Sequence, residues 1–355
     1  MTYEDLLEQE PYGVLSDEKE RMLGELLNRL TERHRDCCPA YDAACGLLGD
    51  RKGSRLCEIP LLPVSLFKKT ELCSIPEDEI FKRLTSSGTT GQQTSRIVLD
   101  RRTAEWQQRT LERIVGSFIG GKRLPMLIID SPGVLHDRNL FSARGAGILG
   151  FSMFGTRRRY ALTEEMEPDL DAVGEWLEAA AGEPVLVFGF TYMIWKHFYQ
   201  ALLQSGKRLP LENGILIHGG GWKKLQNESV SAERFKEGLR EVCGITRVHD
   251  YYGMAEQTGC IYMECECGHL HASSYSELLI RDMEDFSCCE TGKEGVVQVL
   301  TPMAWSYPGH SILTEDKGVI LGIDDCPCGR KGKYFKLTGR IPKAEVRGCS
   351  DTYEG

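Results

Sequence analysis

The feature that most constrains this chain is an alternation of strand and helix patterns between residues 125 and 249. Residues 125–130 read as a buried strand, closed by Ser131-Pro132-Gly133. Helical patterns follow at 142–155 and at 164–181, where Ala172, Trp176, Ala179 and Ala180 mark an inner face. Residues 185–190 are the next strand and 192–203 the next helix. A strand at 214–218, a helix at 231–243 stopped by Gly244, and a strand at 246–249 complete the series. Strand and helix alternating at this spacing predict βαβ units, a mainly parallel sheet and an α/β fold. In such sheets ligands bind where loops leave the carboxyl ends of the strands. Gly219-Gly220-Gly221-Trp222 and the stretch from Asp250 to Gly259 both occupy that kind of position.

Upstream lies Ser86-Ser87-Gly88-Thr89-Thr90-Gly91, two glycines and four hydroxyl side chains in six residues. Glycine lets backbone N–H groups approach an anion, and hydroxyls add donors without charge. Such a loop can wrap a triphosphate as an anion nest does. No Gly-Lys-Ser/Thr follows, so it is not a Walker loop. A short strand at 96–100 places the loop in a hairpin, and 102–118 reads as a helix.

Residues 1–83 read as mostly helical, with Leu23, Leu26, Leu27 and Leu30 on one face and Asp17 as the N-cap. Beyond Gly259 the pattern changes to strands separated by turns, including 296–300 and 312–314, an antiparallel or barrel-like subdomain. A formal net charge of −9 argues against a nucleic-acid-binding surface. No run approaches the roughly 18 apolar residues of a membrane span. The acidic start lacks a signal-peptide pattern, so the expectation is a cytoplasmic protein. Fourteen cysteines in such a chain point to reduced thiols, metal ligands or catalysis, and nine of them fall between Cys243 and Cys349. Cys37, Cys38, Cys45 and Cys57 match no metal spacing and read as small buried thiols.

Asp250-Tyr251-Tyr252-Gly253-Met254-Ala255-Glu256, taken with the glycine loop, resembles the adenylate-forming superfamily of acyl-CoA synthetases and related ligases. In the same order, Thr314-Glu315-Asp316-Lys317-Gly318 resembles its ribose-binding aspartate motif, and Gly339-Arg340 with Gly348 its hinge motif. The ending from Gly339 to Thr352, the stretch from Asp250 to Gly259 and the overall length resemble the bacterial acyl-protein synthetases of LuxE type. The resemblance implies the large N-terminal-type domain of adenylate-forming enzymes: a helical part at 1–83, an adenylation core at 84–340 and a tail at 341–355. Only fifteen residues follow Arg340, so the usual mobile C-terminal domain and its lysine are expected to be missing, with Lys343 or Arg96 as substitutes.

The implied reaction joins a long-chain fatty acid to ATP as acyl-AMP. The acyl group then moves to the enzyme's own Cys349 as a thioester, for delivery to an acyl-CoA reductase-type partner protein. On this reading Ser86, Ser87, Gly88, Thr89, Thr90 and Gly91 cradle the triphosphate and Glu256 helps hold Mg²⁺, a hard ion suited to carboxylate and phosphate oxygens. Tyr251 or Tyr252, with Gly253 in the same motif, stacks on adenine, which lies against Gly219, Gly220 and Gly221. Asp316 accepts from the ribose hydroxyls, and Arg340 reaches ribose or phosphate. Lys343 and Arg347 lower the pKa of the Cys349 thiol, and Gly348 gives it freedom.

Two further knots, Cys265-Glu266-Cys267-Gly268-His269-Leu270-His271 and Cys326-Pro327-Cys328-Gly329-Arg330, carry soft ligands. Four tetrahedral ligands of this type suit a structural Zn²⁺. The first choice is Cys265, Cys267, Cys326 and Cys328, with His271 or Cys260 as replacements. Cys288 and Cys289 read as inert. Two other readings stay open: a carboxylate–CoA ligase lacking its second domain, and a zinc-stabilised scaffold with a degenerate nucleotide site.

Overall fold

The computed structural model describes residues 1–48, 55–85, 94–136, 143–180, 182–222 and 229–341. They form two compact units. The first gathers the described residues of Met1–Ser86, Gln92–Ser117 and Tyr252–Glu345; the second gathers those of Phe118–Tyr251.

The first unit opens with helices, as their apolar spacing predicts. Ser16–Cys37 buries Leu23, Leu26, Leu27 and Leu30 along one face. Asp17 is not the N-cap: the helix starts at Ser16, and Leu15 stands at the cap with no side-chain bond. The orphan Ser16 N–H instead donates to both carboxylate oxygens of Asp324, 3.2 and 3.0 Å away and 308 residues distant in sequence. Strand β1, Leu62–Pro63, follows a short extended segment. Strands β2, Lys82–Thr85, and β3, Arg96–Leu99, pair antiparallel from Lys82↔Leu99 to Thr85↔Arg96. The chain between them, 86–93, holds the glycine loop and lies outside the described residues. Helix Arg101–Ile119 comes next.

The second unit is the expected parallel α/β array. Its strands are β4 (Leu124–Ile129), β5 (Gly155–Tyr160), β6 (Val185–Phe190), β7 (Gly214–Gly219) and β8 (Arg247–Tyr252). They lie in the order β8-β7-β6-β4-β5, each adjacent pair parallel. Helix Ala143–Ser152 precedes β5. The helix expected from residue 164 starts only at Leu170, after Pro168 and an Asp169 side-chain cap on the Ala172 N–H. Its buried face is Leu170, Val173, Leu177 and Ala180. Of the face expected, Ala180 is buried, Ala172 and Trp176 are half-buried, with Trp176 packed on the same cluster and its indole N–H donating to the Arg157 carbonyl, and Ala179 is exposed. After β6 the helical stretch runs Thr191–Met193, a π-helical Ile194–Tyr199 and Gln200–Ser205. Helix Ala232–Cys243 is capped by Ser231 and ends on Gly244 at φ 75°. That left-handed backbone favours glycine, and a Cβ there would also displace the Glu212 side chain, whose Cγ would lie 2.7 Å away.

Beyond residue 252 the chain returns to the first unit as an antiparallel sheet. Strands β9 (Tyr262–Glu264), β10 (Leu270–His271), β11 (Glu277–Arg281), β12 (Gly295–Leu300), β13 (Ser311–Ile323) and β14 (Lys333–Arg340) run in the order β11-β12-β13-β14-β10-β9. Strand β1 adds to β13 in parallel. One apolar core spans this sheet and the N-terminal helices, joining Cys38, Tyr41, Phe67 and Ile97 to Tyr262, Val299, Ile312 and Phe335. Of the early thiols read as buried, Cys38 and Cys45 are so, whereas Cys37 is exposed and Cys57 half-buried. No described helix is long and apolar enough to cross a membrane.

Candidate functional site

The register of β13 and β14 sets Asp316 directly across from Arg340. Arg340 Nε lies 3.1 Å from Asp316 Oδ1, and its Nη2 lies 3.2 Å from Glu315 Oε2. The Tyr252 hydroxyl donates to the other Asp316 oxygen at 2.8 Å. Burial and the Asp316 charge hold the Tyr252 phenol well above its ordinary pKa, so it stays a donor. Asp316 is thus a preformed carboxylate flanked by a phenol and a guanidinium. Tyr252 is committed to Asp316, and Arg340 is aimed at the same carboxylate.

Glu256 sits on the short turn Ala255–Gln257 and is only 5% exposed. Burial raises its pKa, and a hydrogen bond with the Ser95 side chain opposes that shift. Ser95 is the second described residue after the glycine loop, so the Glu256 carboxyl is held beside the chain that leaves that loop. The turn itself is fixed by side chains: Tyr307 Oη donates to the Glu256 carbonyl at 2.8 Å, and Gln257 Nε2 donates to the Val299 and Gly309 carbonyls. Gly259, at φ 88°, closes the motif where a Cβ would lie 2.2 Å from the Gln107 carbonyl oxygen. Gly253 is half-buried and follows Tyr252 directly.

In the second unit, Tyr251 packs on the Gly219 backbone: a Cβ there would lie 2.5 Å from Tyr251 Cε1. The ring also lies 5.2 Å from that of Phe151. Gly220 turns at φ 75°. Trp222 packs against the apolar cluster of this unit, beside Trp195 and Phe235, which is a structural role. Ser86, Ser87, Gly88, Thr89, Thr90 and Gly91 lie outside the described residues, as do Lys343, Arg347, Gly348 and Cys349. Arg96 is exposed on β3.

The soft-ligand knots converge. Cys265, His271, Cys326 and Cys328 bring one ligand atom each within 4.8 Å of one another. Cys265 Sγ lies 3.9 Å from Cys326 Sγ, and Cys328 Sγ lies 3.5 Å from His271 Nε2. Zinc–sulfur and zinc–nitrogen bonds at tetrahedral angles set these edges at about 3.8 and 3.6 Å, so the residues fit that ion. Cys267 does not join the group. It is exposed, and its backbone N–H donates to Cys265 Sγ at 3.4 Å. The hairpin of β9 and β10, in which His271 pairs with Met263, delivers His271 in its place. Cys260, the other replacement considered, is buried against Thr301, its sulfur 2.9 Å from that hydroxyl. His269, whose Nδ1 lies 3.3 Å from Cys326 Sγ, was not anticipated; its place in the same Cys-x-Cys-x-His-x-His run is the signal that marks it.

The architecture is that of adenylate-forming ligases. A solved 2-hydroxyisobutyryl-CoA ligase, in complex with 2-HIB-AMP and CoA, superposes with a TM-score of 0.68 at 16% identity, over 94% of this chain and 77% of that one. The same ligase in its postadenylation state gives 0.68 over 94% and 70%. Residues 2–354 match the family described as Acyl-protein synthetase, LuxE, and the chain belongs to that family. It is therefore an enzyme of the ligase class. It is 23% identical over 310 residues to the long-chain-fatty-acid–luciferin-component ligase of Vibrio harveyi, covering 82% of this chain and 76% of that protein. The corresponding ligase of Aliivibrio fischeri is 23% identical over 319 residues, covering 82% and 77%.

Proposed function

We propose that this protein uses ATP and Mg²⁺ to convert a long-chain fatty acid to acyl-AMP, then carries the acyl group on Cys349 for a reductase-type partner in the cytoplasm. The observation that carries this reading is the Tyr252–Asp316–Arg340 constellation, built within one unit with buried Glu256. A ribose diol is a pair of donors, and Asp316 is an acceptor already fixed in place by a phenol and a guanidinium. In the first step a carboxylate oxygen attacks the α-phosphorus and pyrophosphate leaves. Mg²⁺ would neutralise the phosphate charge, and Glu256 is the carboxylate that would hold it. In the second step the Cys349 thiolate attacks the acyl carbonyl, a thioester bond forms and AMP leaves. Residues 86–91 would cradle the triphosphate, and Gly219 with Tyr251 would flank the adenine. Cys265, His271, Cys326 and Cys328 would hold a structural Zn²⁺ apart from these steps, with all four positions filled by protein.

Intact-protein mass spectrometry tests the reading, with ATP, Mg²⁺ and a panel of fatty acids on the parent and on Cys349→Ala. The expected result is a thioester-sized gain on the parent alone, removed by hydroxylamine. AMP release without a gain on either protein would hand the acyl group to a small acceptor such as coenzyme A. Neither AMP nor a gain would leave a scaffold.

A further inference from the structure

The Gly219–Gly220 turn, at the carboxyl end of β7, has no side chain of its own to hold it. It also has no room for one. A Cβ on Gly219 would collide with Tyr251, and one on Gly220 would lie 3.2 Å from Phe190 Cδ1. What holds it is a hydroxyl. Thr191 Oγ1, on the first residue after β6, donates to the Gly220 carbonyl at 2.7 Å and lies 3.3 Å from the Gly219 carbonyl. The same oxygen lies 2.9 Å from His218 Nδ1. A hydroxyl has one proton. With that proton given to Gly220, Oγ1 accepts, and His218 must supply an Nδ1–H.

The surroundings keep the imidazole in that neutral form. His218 is 6% exposed and lies against Phe235, ring centres 4.8 Å apart. Burial, with Lys236 and His249 nearby, pushes its pKa down to about 3. Asp250 Oδ1 stands 3.6 Å from Nδ1, beyond a hydrogen bond. Nε2 bonds to nothing among the described residues. Among the described residues, the hydrogen bond of the His218 ring is the one to Thr191.

We propose that His218 and Thr191 are positioning residues: a relay from His218 Nδ1–H through the Thr191 hydroxyl to the Gly220 carbonyl sets the turn on which the adenine of the nucleotide rests. This rests on the nucleotide reading of the site given above. It assigns a role to a buried histidine and a threonine that touch no substrate.

Amide side chains separate the relay from mere bulk. The Asn amide nitrogen overlays imidazole Nδ1, whereas the Gln nitrogen overlays Nε2. His218→Asn therefore keeps the donor and His218→Gln misplaces it. Likewise Thr191→Ser keeps the hydroxyl and Thr191→Val removes it. The full-length parent and the four variants are compared by equilibrium dialysis with ATP and by ATP–pyrophosphate exchange. Thr191→Val and His218→Gln should weaken ATP binding, and raise its KM, by about 5- to 15-fold, the scale of one or two net hydrogen bonds. Their kcat should stay within about 2-fold, and the Ser and Asn variants should bind within about 3-fold of the parent. Parent-like affinity in Thr191→Val, or His218→Asn as weak as His218→Gln, overturns the relay. If the parent binds ATP but exchanges no pyrophosphate, the adenylation reading fails while the dissociation constants still decide the relay. A parent that binds no nucleotide overturns both.

Discussion

Asp316 meets a phenol and a guanidinium and, on the proposed reading, a ribose as well, and the ranking of these bonds can be tested. Its Oδ2 accepts from a neutral phenol, its Oδ1 faces a guanidinium, and on the proposed reading both oxygens face a ribose diol. A charged acceptor contributes about 1.5–3 kcal/mol per hydrogen bond, against about 0.5–1.5 kcal/mol for a neutral pair. Asp316→Asn keeps the volume but loses the charge and turns one acceptor into a donor. Tyr252→Phe removes only a support. ATP KM in the exchange assay should therefore rise on the order of 10- to 100-fold in Asp316→Asn and by no more than about 10-fold in Tyr252→Phe. Equal effects, or the reverse order, would mean that Asp316 is a structural partner of Arg340 and does not hold the ribose. The motif residues were legible one at a time because each has a fixed chemistry. That Tyr252 serves Asp316, leaving Tyr251 for the Gly219 face, follows from the strand pairing and from no local pattern.

At the scale of elements, the segments that carry the Cys265, His271, Cys326 and Cys328 cluster also dock the start of the chain. Asp324, in the left-handed region at φ 62°, accepts from the Ser16 N–H and, at 2.7 Å, from the Gly332 N–H. The Lys331 N–H donates to the Tyr12 carbonyl, and the Ser274 N–H to the Pro11 carbonyl. Lys19 is buried with its ammonium 3.3 Å from Glu277 Oε2 and donating to the Ala272 and Ser273 carbonyls. Residues 11–19 are thus anchored on the segments that flank His271, Cys326 and Cys328. If a tetrahedral ion ties those segments together, its removal should free the N-terminal segment first. The purified protein should carry about one zinc per chain, and stripping it should speed amide exchange at Ser16, Ser274 and Lys331 well before the second unit responds. Cys326→Ser should reproduce the effect without chelator. A metal-free preparation with full protection at these amides would show that thiols and hydrogen bonds suffice. Such anchoring explains why Asp17 reads as a cap and is not one: local spacing cannot show a carboxylate 308 residues away. The same limit applies to Cys267: thiolate chemistry favours it over His271, but the β9–β10 hairpin leaves it outside the group.

For the whole molecule, the parallel unit was legible where its strands are short apolar runs between helical periods, as in β4, β6 and β7, the pattern that βαβ crossovers impose. Strand β5, Gly155-Thr156-Arg157-Arg158-Arg159-Tyr160 at the end of the sheet, has no such run and was not read as a strand. The other unit was legible in its N-terminal helical face, in the hairpin of β2 and β3 and in the helix after it, and beyond Gly259 only as a change of style. Its N-terminal helices and its sheet meet in one core across more than 200 residues of intervening chain, through contacts that no periodicity records. Two of those contacts are histidines, and they set how the fold meets acid. His34 and His310 are fully buried and stacked, ring centres 5.0 Å apart. His34 Nε2–H donates to the Ala304 carbonyl, so its Nδ1, 2.7 Å from Ser74 Oγ, is an acceptor. His310 Nε2 lies 3.0 Å from Thr31 Oγ1, whose own proton goes to the Leu27 carbonyl, so Nε2–H is the donor, and Nδ1 has no hydrogen-bond partner among the described residues to receive a second proton. Burial, reinforced by Arg33, pushes the His34 pKa down to about 3, and burial beside His34 lowers His310 well below its ordinary value. Unfolded, both titrate near 6.5. Below that pH the unfolded chain binds protons that the folded chain refuses, so stability is fully present above about pH 6.5 and falls as pH drops towards the folded values. Each histidine contributes a slope approaching about 1.4 kcal/mol per pH unit, or about 2.5 kcal/mol for the pair between pH 7 and 5.5. Urea unfolding across that range should show the loss. His34→Gln, which keeps the donor to Ala304, should lower the midpoint at pH 7 yet flatten the pH slope by nearly half of the pair's share. A variant that keeps the parent's slope would assign the acid sensitivity to other groups.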